Sequence, residues 1–481
     1  MGRKRTRERR NQETTCEAET PVIGRVRPRL GVALVLGGVA FGLGLVPALM
    51  TPWDPREPRS QRRTPPDEIA HMLYVQDLVR DHRLPLLRSG SGNYEAHQPP
   101  LYYLLAIPAR QLGVAVDPPS GPGLAGMTWG EVLALRVWSA AIASGVVVSC
   151  YLVGCAAFPR SLLLQIATAA FALLLPGHLI SLAAVTNDGL AELFCCLVLF
   201  QCVALVRWPL EGMARFGLLG LLIGAALLTK TSCVFLVPVA LLAALLGYSP
   251  VAARGVAWGR FAARATATVA VAAVLWAPWI AHNLAHYPGD PLVTRTFTEV
   301  FGRDRPNPEW FLATGMSLPG YARMLLTWTY CSFWGVFGEA AVFMPGWYYL
   351  VGAGLTIAAL VGIASGVARW TQATREARSV WSILFVAGIL VMLQFARFQV
   401  DFFQAQARYL FPAIAPIACA FAAGFGRVGL LLGGRRWPES TRARVLLASG
   451  AAMAVLLVAA FLAVMARGPV GAPPSWIGMP R

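Results

Sequence analysis

The chain has 481 residues, of which 56% are apolar and 14% are charged, and its mean hydropathy is +0.56. A soluble globular protein has roughly 45–50% apolar and about 25% charged residues, so much of this chain must face lipid. The composition excludes a disordered chain, a disulfide scaffold and an ordinary soluble enzyme. Because a spanning helix needs roughly 20 apolar residues, the length allows about a dozen spans in one membrane domain.

The net charge is +17, from 41 basic and 24 acidic residues, and only Lys4 and Lys230 are lysines. Nucleic-acid binding would need basic residues gathered on one solvated face with base-stacking aromatic residues nearby. The arginines are instead scattered through short loops between apolar runs, a placement that sets the orientation of a membrane protein. The nine cysteines form no CxxC pair and most lie in apolar runs, which predicts buried side chains and neither a zinc site nor disulfides.

Apolar stretches long enough to cross a bilayer recur along the chain. They lie near residues 30–50, 132–157, 162–182, 188–206, 216–230, 231–248, 266–282, 347–368, 380–396, 408–426 and 445–466. The apolar stretch at 214–248 is too long for one span, so it is divided at Lys230. The sequence therefore predicts an all-α integral membrane protein of about 11 transmembrane helices, with a basic cytoplasmic tail at 1–29, a transmembrane domain at 30–466 and a C-terminal tail at 467–481.

The loop charges predict the orientation. The basic segment MGRKRTRERR places the N-terminus in the cytoplasm. Alternating the spans from there puts these loop arginines on the cytoplasmic side: Arg160, Arg207, Arg215, Arg254, Arg260, Arg264, Arg369, Arg375, Arg378, Arg427, Arg435, Arg436, Arg442 and Arg444. The agreement requires that the region 319–338, rich in Trp and Tyr, lies at the outer interface or re-enters without crossing. Most acidic residues then lie outside, where loops 51–131 and 283–346 are large, so chemistry is expected on that face.

The first outer loop begins with TPPDEIAHMLYVQDLVRDHRLP at residues 64–85. The proline pair and the apolar pattern behind it predict an amphipathic helix on the membrane surface. Asp67 and Glu68 occupy its first turn, and His71 lies about one turn beyond. First-turn carboxylates commonly cap a helix, because they satisfy its free N–H groups and its positive dipole end. A carboxylate desolvated at the lipid surface can also act as a general base toward an incoming hydroxyl.

The same loop continues with YEAHQPPLYYLLAIP at residues 94–108. The two prolines fix an extended turn and then begin a helix, which places Glu95, His97 and Gln98 just before a run that contains Tyr102. A membrane-entry turn with interfacial tyrosines has this appearance. Its carboxylate and imidazole groups nevertheless join the earlier acidic pair in one loop, which predicts a site. Carboxylate and imidazole groups are also ligands of divalent cations, so a metal site stays an open alternative, although no DxD or HxxxH spacing is present.

The two motifs, DE-x-x-H and HQPPLYY, resemble the GT-C superfamily of polyprenyl-phosphate-sugar-dependent glycosyltransferases, in the branch of protein O-mannosyltransferases and lipid A aminoarabinose transferase. The later matches are VTNDGLAEL with Asn187 and Asp188, LLTKTS with Lys230, HNLAHYPGDPL at 282–292, and QARYLFPAIAP with Arg408 and Tyr409. The resemblance runs from about residue 30 to 426. It implies a GT-C-like transmembrane domain with an outer cavity for a sugar on a polyprenyl phosphate.

The resemblance also implies roles for residues. Asp67 would be the acceptor-activating base, and Glu68 would orient the acceptor or the donor. Many relatives have a lysine where this chain has Gln98, so Arg408 or Lys230 is expected to contact the donor phosphate. The other predicted substrate-binding residues are His71, Glu95, His97, Gln98, Tyr102, Asn187, Asp188 and Tyr409.

These assignments have structural and functional alternatives. Arg408 and Lys230 can snorkel from span ends, and Asn187 and Asp188 can cap a helix. The expected partners are the donor, the bilayer and a glycan, lipid or protein acceptor, without nucleic acid. The site is expected on the extracytoplasmic face of a multi-pass plasma-membrane protein. A flippase or other transporter of lipid-linked sugars is the alternative function, and an inactive scaffold that binds such sugars is a third.

Overall fold

The computed structural model describes residues 29–50, 65–89, 93–118, 127–208, 212–247, 258–302, 306–338, 342–433 and 438–465. The predicted tails at 1–29 and 467–481, apart from Arg29, lie outside these ranges, as do Arg254, Arg435 and Arg436. The α-helices are α1 (Leu30–Met50), α2 (Glu68–Asp81), α3 (Leu101–Val116), α4 (Trp129–Ala157), α5 (Leu162–Leu174), α6 (Pro176–Leu182), α7 (Asp188–Arg207), α8 (Ala214–Thr229), α9 (Leu236–Leu246), α10 (Trp258–His286), α11 (Thr294–Phe297), α12 (Pro308–Ala313), α13 (Leu318–Gly335), α14 (Gly346–Val367), α15 (Arg375–Asp401), α16 (Ile414–Gly433) and α17 (Pro438–Met465).

Shorter elements connect these helices. The 3-10 turns are Tyr94–His97, Thr231–Phe235, Trp370–Gln372 and Ala407–Ala413, and a π-helical turn spans Thr298–Gly302. Strands β1 (Val336–Phe337) and β2 (Val342–Phe343) pair antiparallel, with Val336 opposite Phe343 and Phe337 opposite Val342.

Each predicted apolar stretch lies on a helix or on two consecutive helical segments. Within the described ranges, 8 helices are long and apolar enough to cross a membrane: Leu30–Met50, Trp129–Ala157, Asp188–Arg207, Trp258–His286, Gly346–Val367, Arg375–Asp401, Ala407–Gly433 and Ser440–Met465. Helices α5 and α6, bent by 67° at their junction, form one further candidate span. Helix α8 and the segment Thr231–Leu246 are apolar but shorter. The all-α membrane fold is therefore confirmed, whereas the count of 11 spans is not.

Helix α4 is the centre of the bundle and packs against α1, α3, α5 and α7. Its N-terminus is fixed by a reciprocal cap between Thr128 and Glu131. Gly113 of α3 faces this turn so closely that an added Cβ would lie 2.6 Å from the Cα of Glu131. Arg110 of α3 also pairs with Glu131 at 2.7 Å. The helix that follows the second motif is thus held firmly against the central span.

The predicted amphipathic helix of the first outer loop is α2. Its buried residues Glu68, His71, Met72, Val75 and Leu78 follow helical spacing, and the helix packs against α3. Protein contacts therefore hold the position of the Asp67–Glu68 motif.

The region 319–338 forms α13 and the first strand of the β-hairpin. Helix α13 is not one of the eight helices that meet the length and hydropathy requirement for a span. Its placement along the outer interface stays a prediction.

Candidate active site

Asp67 directs its carboxylate away from the helix that follows it. The residue has φ 68° and ψ −6°, a left-handed conformation that few non-glycine residues adopt, and its side chain makes no capping hydrogen bond to α2. Its Oδ1 accepts a 2.5 Å hydrogen bond from the Tyr94 hydroxyl, and its Oδ2 pairs with the Arg408 guanidinium. The capping interpretation is therefore wrong for Asp67, because both oxygens face other site residues.

Glu68 follows this turn directly and has no exposed surface. Its Oε2 accepts a 2.7 Å hydrogen bond from Arg136 Nη2, and its Oε1 accepts hydrogen bonds from Arg136 Nε at 3.0 Å and from the Val185 backbone N–H at 3.1 Å. These contacts tie α2 to the central helix α4 and to the turn before α7. Through these contacts Glu68 holds the first outer loop in position, and its predicted contact with substrate stays a prediction.

Sequence reasoning did not single out Arg136. An ionisable residue inside an apolar span is itself a signal of function, and Arg136 lies within the predicted span 132–157. That signal would have marked Arg136 as a candidate, although only the structure shows that it pairs with Glu68. Tyr94 was also missed, because a tyrosine at the start of a loop turn has no distinctive pattern.

A second ion pair lies beside Asp67. Asp188 pairs through Oδ1 with the Lys230 ammonium, and its Oδ2 lies 3.9 Å from Arg408 Nη1. The Tyr409 ring centroid lies 5.1 Å from Arg408 Cζ and 5.7 Å from Lys230 Nζ, so one aromatic ring contacts both cations. We call Asp67, Asp188, Lys230 and Arg408 the charge cluster; its two acidic and two basic groups balance.

Breaks in the helices place these charges. Lys230 is extended between α8 and the 3-10 turn at Thr231–Phe235, which confirms the predicted division at this residue. Asp188 begins α7, and Arg408 lies in the 3-10 turn that precedes α16. The side chains of Arg408 and Lys230 are 11% and 17% exposed. The cluster is therefore shielded yet retains access for a ligand.

Hydrogen bonds link the second motif to the charge cluster. Asn187 Nδ2 donates to the Thr229 carbonyl at 3.0 Å and to Gln98 Oε1 at 3.2 Å, and its side chain does not cap α7. Gln98 Nε2 lies 3.0 Å from His97 Nε2, and His97 Nδ1 lies 2.7 Å from the Tyr94 carbonyl. The capping alternative is therefore wrong for Asn187, and the motifs that are distant in sequence form one polar wall.

The titratable groups of the loop have opposite shifts. Burial raises the pKa of Asp67, but Arg408 and the other hydrogen-bonding and charged neighbours outweigh it, so the pKa lies well below its usual range. Burial lowers the pKa of His71, whose Nδ1 lies 2.8 Å from the Tyr103 hydroxyl. Burial raises the pKa of Glu95, and its Oε2 has no hydrogen-bond partner among the described residues. Asp67 is thus ionised more readily than Glu95.

Two further predictions concern Tyr102 and a metal ion. Tyr102 is fully buried against Tyr103, with ring centroids 5.4 Å apart, and its predicted contact with the donor stays a prediction. No group of three or more His, Cys, Asp or Glu side chains in the described part of the chain could hold a metal ion. Asp67 and Asp188 have the cationic partners Arg408 and Lys230, and a divalent cation at this site stays a prediction.

No known protein-family profile and no curated protein matches the sequence. The fold is similar to that of the oligosaccharyltransferase of Archaeoglobus fulgidus, with a TM-score of 0.55, 15% identity, and an alignment that covers 91% of this chain and 56% of that one. It is also similar to ArnT from Cupriavidus metallidurans bound to undecaprenyl phosphate, with a TM-score of 0.51, 15% identity and coverage of 91% and 78%.

The fold is also similar to that of the archaeal enzyme, named AglB, in its complex with an inhibitory peptide and a dolichol-phosphate. The TM-score is 0.54, the identity is 15%, and the alignment covers 91% of this chain and 56% of that one. Its complex with Zn and sulfate gives a TM-score of 0.53, 15% identity and coverage of 92% and 54%. This chain thus spans just over half the length of the archaeal enzyme. AglB and ArnT are GT-C glycosyltransferases. At this identity the likeness concerns the fold, and the predicted resemblance is confirmed at that level: the chain is an all-α, multi-pass membrane protein with the GT-C fold.

Proposed function

We propose that the protein transfers a sugar from a polyprenyl-phosphate carrier to an acceptor hydroxyl on the extracytoplasmic face of the membrane. The observation that carries this proposal is the direct contact between Asp67 and Arg408. It places a proton acceptor next to a planar cation that suits a phosphate. The lipid-phosphate ligands of the structurally similar ArnT and AglB support this choice of donor class.

The proposed reaction is a single displacement. The acceptor oxygen attacks the anomeric carbon, and the bond from that carbon to the phosphate oxygen breaks with its electron pair left on the phosphate. The acceptor proton passes to the Asp67 carboxylate. Arg408 stabilises the charge that develops on the departing phosphate, because its guanidinium can donate two parallel hydrogen bonds. Attack opposite the leaving group inverts the anomeric configuration.

Because of the ion pair between Asp67 and Arg408, the basicity of the Asp67 carboxylate depends on whether the donor is bound. Arg408 counteracts the effect of burial and keeps the pKa of Asp67 low in the protein without substrate, so Asp67 is then a weak base. A donor phosphate that binds Arg408 neutralises this counterion. Burial then dominates and raises the pKa of Asp67, which becomes a stronger base when the donor is in place.

The remaining residues take supporting roles. Lys230 is the second cation for the phosphate, held by Asp188 and lying over the same Tyr409 ring as Arg408. The polar wall formed by Asn187, Gln98 and His97 is suited to the hydroxyl groups of a sugar. His71, Glu95 and Tyr102 are buried, and we assign them to supporting the site, while Glu68 positions the loop. The proposed reaction uses no metal ion, because both carboxylates of the charge cluster have cationic partners.

The orientation is part of the proposal. The cytoplasmic N-terminus follows from the arginine-rich loops, and it places the first outer loop and the charge cluster outside the cell. Labelling of a single cysteine introduced at Arg83, an exposed loop residue beyond α2, with a membrane-impermeant reagent in intact cells tests this placement. Labelling only after the membrane is permeabilised would contradict it.

The activity is tested with the full-length protein in lipid nanodiscs. A panel of undecaprenyl-phosphate-linked hexoses, pentoses, amino sugars and uronic acids is offered with cell-envelope glycans, lipids and proteins. We expect one donor to release undecaprenyl phosphate only when its acceptor is present, with an inverted product by NMR. In liposomes, movement of intact donor across the bilayer without cleavage would favour the flippase instead. Donor binding without turnover across the panel would favour an inactive scaffold.

A further inference from the structure

A second region outside the charge cluster has the properties of a ligand site. A cavity of about 1140 Å³ lies between α14, α15 and α16. Its lining includes Leu410 and Ala413, close in sequence to Arg408, and continues along the helix to Arg427 and Leu430. About twenty helical residues rise roughly 30 Å, which is the thickness of a bilayer core. The cavity therefore follows a whole span and ends in the leaflet opposite the charge cluster.

The walls of the cavity suit aliphatic chains. Phe385 and Met392 line the cavity and are also 68% and 54% exposed, so the cavity is open to the bilayer. Trp370 and Trp381 line it as well, and tryptophan is enriched where a membrane protein meets the headgroup region. A lipid can enter such a cavity sideways without leaving the membrane.

One end of the cavity is strongly basic. Arg369, Arg427 and Arg442 all line it, and we call them the arginine triad. The charged groups that act on Arg427 are the other two arginines, and no carboxylate whose side chain the structure describes pairs with any of the three. The Nε atom of Arg442 is buried and has no hydrogen-bond partner among the described atoms. The triad therefore offers donors and positive charge to an anion from outside the chain.

We propose that this cavity binds one anionic phospholipid, with its phosphate at the arginine triad and its acyl chains along the apolar wall. Basic pockets between transmembrane helices bind anionic headgroups in this way. The polyprenyl donor is a poorer occupant, because its phosphate must reach Arg408, roughly 30 Å away by the rise of the helix, and would leave the triad without an anion. On the predicted topology the lipid comes from the cytoplasmic leaflet. This site is independent of the proposed reaction.

The test measures the apparent melting temperature of the full chain in mild detergent as lipid is added. Phosphatidylglycerol should raise it saturably, and more than phosphatidylcholine with the same chains. Arg442→Gln should weaken the apparent phosphatidylglycerol affinity about tenfold, the effect of one lost hydrogen bond to a charged group. Arg444→Gln is the matched control, because Arg444 lies on the same helix, is exposed and does not line the cavity.

A cavity-filling variant gives a second measurement. A Cβ at Gly388, which lines the cavity, would meet no atom within 4 Å, so Gly388→Leu should fill the space without backbone strain and abolish the phosphatidylglycerol effect. Gly354 is equally open but lies outside the cavity, and Gly354→Leu should leave the effect unchanged.

Four results would overturn the proposal. Equal effects of the two phospholipids, or an unchanged affinity in Arg442→Gln, would mean that the triad is simply solvated. Loss of undecaprenyl-phosphate stabilisation in Gly388→Leu, together with competition between that carrier and phosphatidylglycerol, would assign the cavity to the carrier. If the variants do not fold, phosphatidylglycerol with brominated acyl chains should quench the fluorescence of the unaltered protein more than brominated phosphatidylcholine does. Equal quenching would contradict the proposal.

Discussion

A glutamine in place of Glu68 would keep the shape of the side chain but leave Arg136 buried without a counterion. Glu68 accepts two hydrogen bonds from Arg136 and one from the Val185 N–H, and the glutamine oxygen can retain only part of this set. Removing one partner of a buried ion pair typically costs about 3–5 kcal/mol. We therefore expect Glu68→Gln to lower the free energy of unfolding by about this amount, because both side chains are almost fully buried.

The assay is unfolding in mixed micelles of dodecyl maltoside and SDS, followed by circular dichroism. The double variant Glu68→Gln, Arg136→Met should regain much of the lost stability, because the unpaired cation is removed and an apolar side chain fills its place. The coupling free energy from the double-mutant cycle should be at least about 2 kcal/mol. Activity separates positioning from contact: if Glu68 acts by holding the loop, the double variant should regain part of the kcat lost in Glu68→Gln.

Two results would refute this reasoning. Additive effects of the two substitutions would show that the pair does not hold the loop in place. A double variant with full stability but no transfer, together with a raised KM for the acceptor in Glu68→Gln alone, would assign Glu68 to substrate binding, as the family resemblance implies.

Three further predictions follow from named contacts. Tyr94→Phe removes a hydrogen bond that lowers the pKa of Asp67. The acidic limb of the kcat profile, which reports Asp67 with the donor bound, should therefore move to higher pH, and an unmoved limb would exclude Asp67 as the titrating group. Arg408→Lys keeps the positive charge but loses the planar guanidinium and its paired hydrogen bonds. Titration with undecaprenyl phosphate should show an affinity about tenfold weaker than that of the unaltered protein. An unchanged affinity would contradict the contact between Arg408 and the phosphate. Gly113→Ala places a Cβ 2.6 Å from backbone atoms of α4 and should lower the free energy of unfolding by about 1–3 kcal/mol in the same assay. Gly42→Ala is the control and should be neutral, because its Cβ meets no atom within 4 Å. Equal effects of the two substitutions would argue against close packing of α3 on α4.

The fold was accessible from the sequence because lipid imposes a simple requirement. A span must present about 20 apolar residues, and each predicted stretch lies on helical segments of the structure. The number of crossings was less accessible, because α5 and α6 bend by 67° and the segments around Lys230 are short. Hydropathy indicates that a segment is apolar, but it does not indicate whether an interrupted helix crosses the whole bilayer.

The site was predictable as a set of residues and less so as an arrangement. Asp67 and Glu68 are neighbours in one motif, yet the backbone makes a left-handed turn at Asp67, and Asp67 contacts Arg408 whereas Glu68 contacts Arg136. A sequence pattern gives no indication of that turn. The contact between Asp67 and Arg408 joins residues more than 300 positions apart, and only the packing of the first-loop helix against the interrupted spans creates it.

The most direct test of the account compares transfer by Asp67→Asn with transfer by Asp77→Asn. Asp77 lies on α2, the helix that follows Asp67, and its ion pair with the exposed Arg80 is of the kind that contributes about 0–1 kcal/mol. Loss of the general base should slow transfer by about 10²–10⁴-fold in Asp67→Asn, with undecaprenyl phosphate still bound, while Asp77→Asn should transfer at the unaltered rate. Transfer by Asp67→Asn at the unaltered rate would contradict the proposed chemistry.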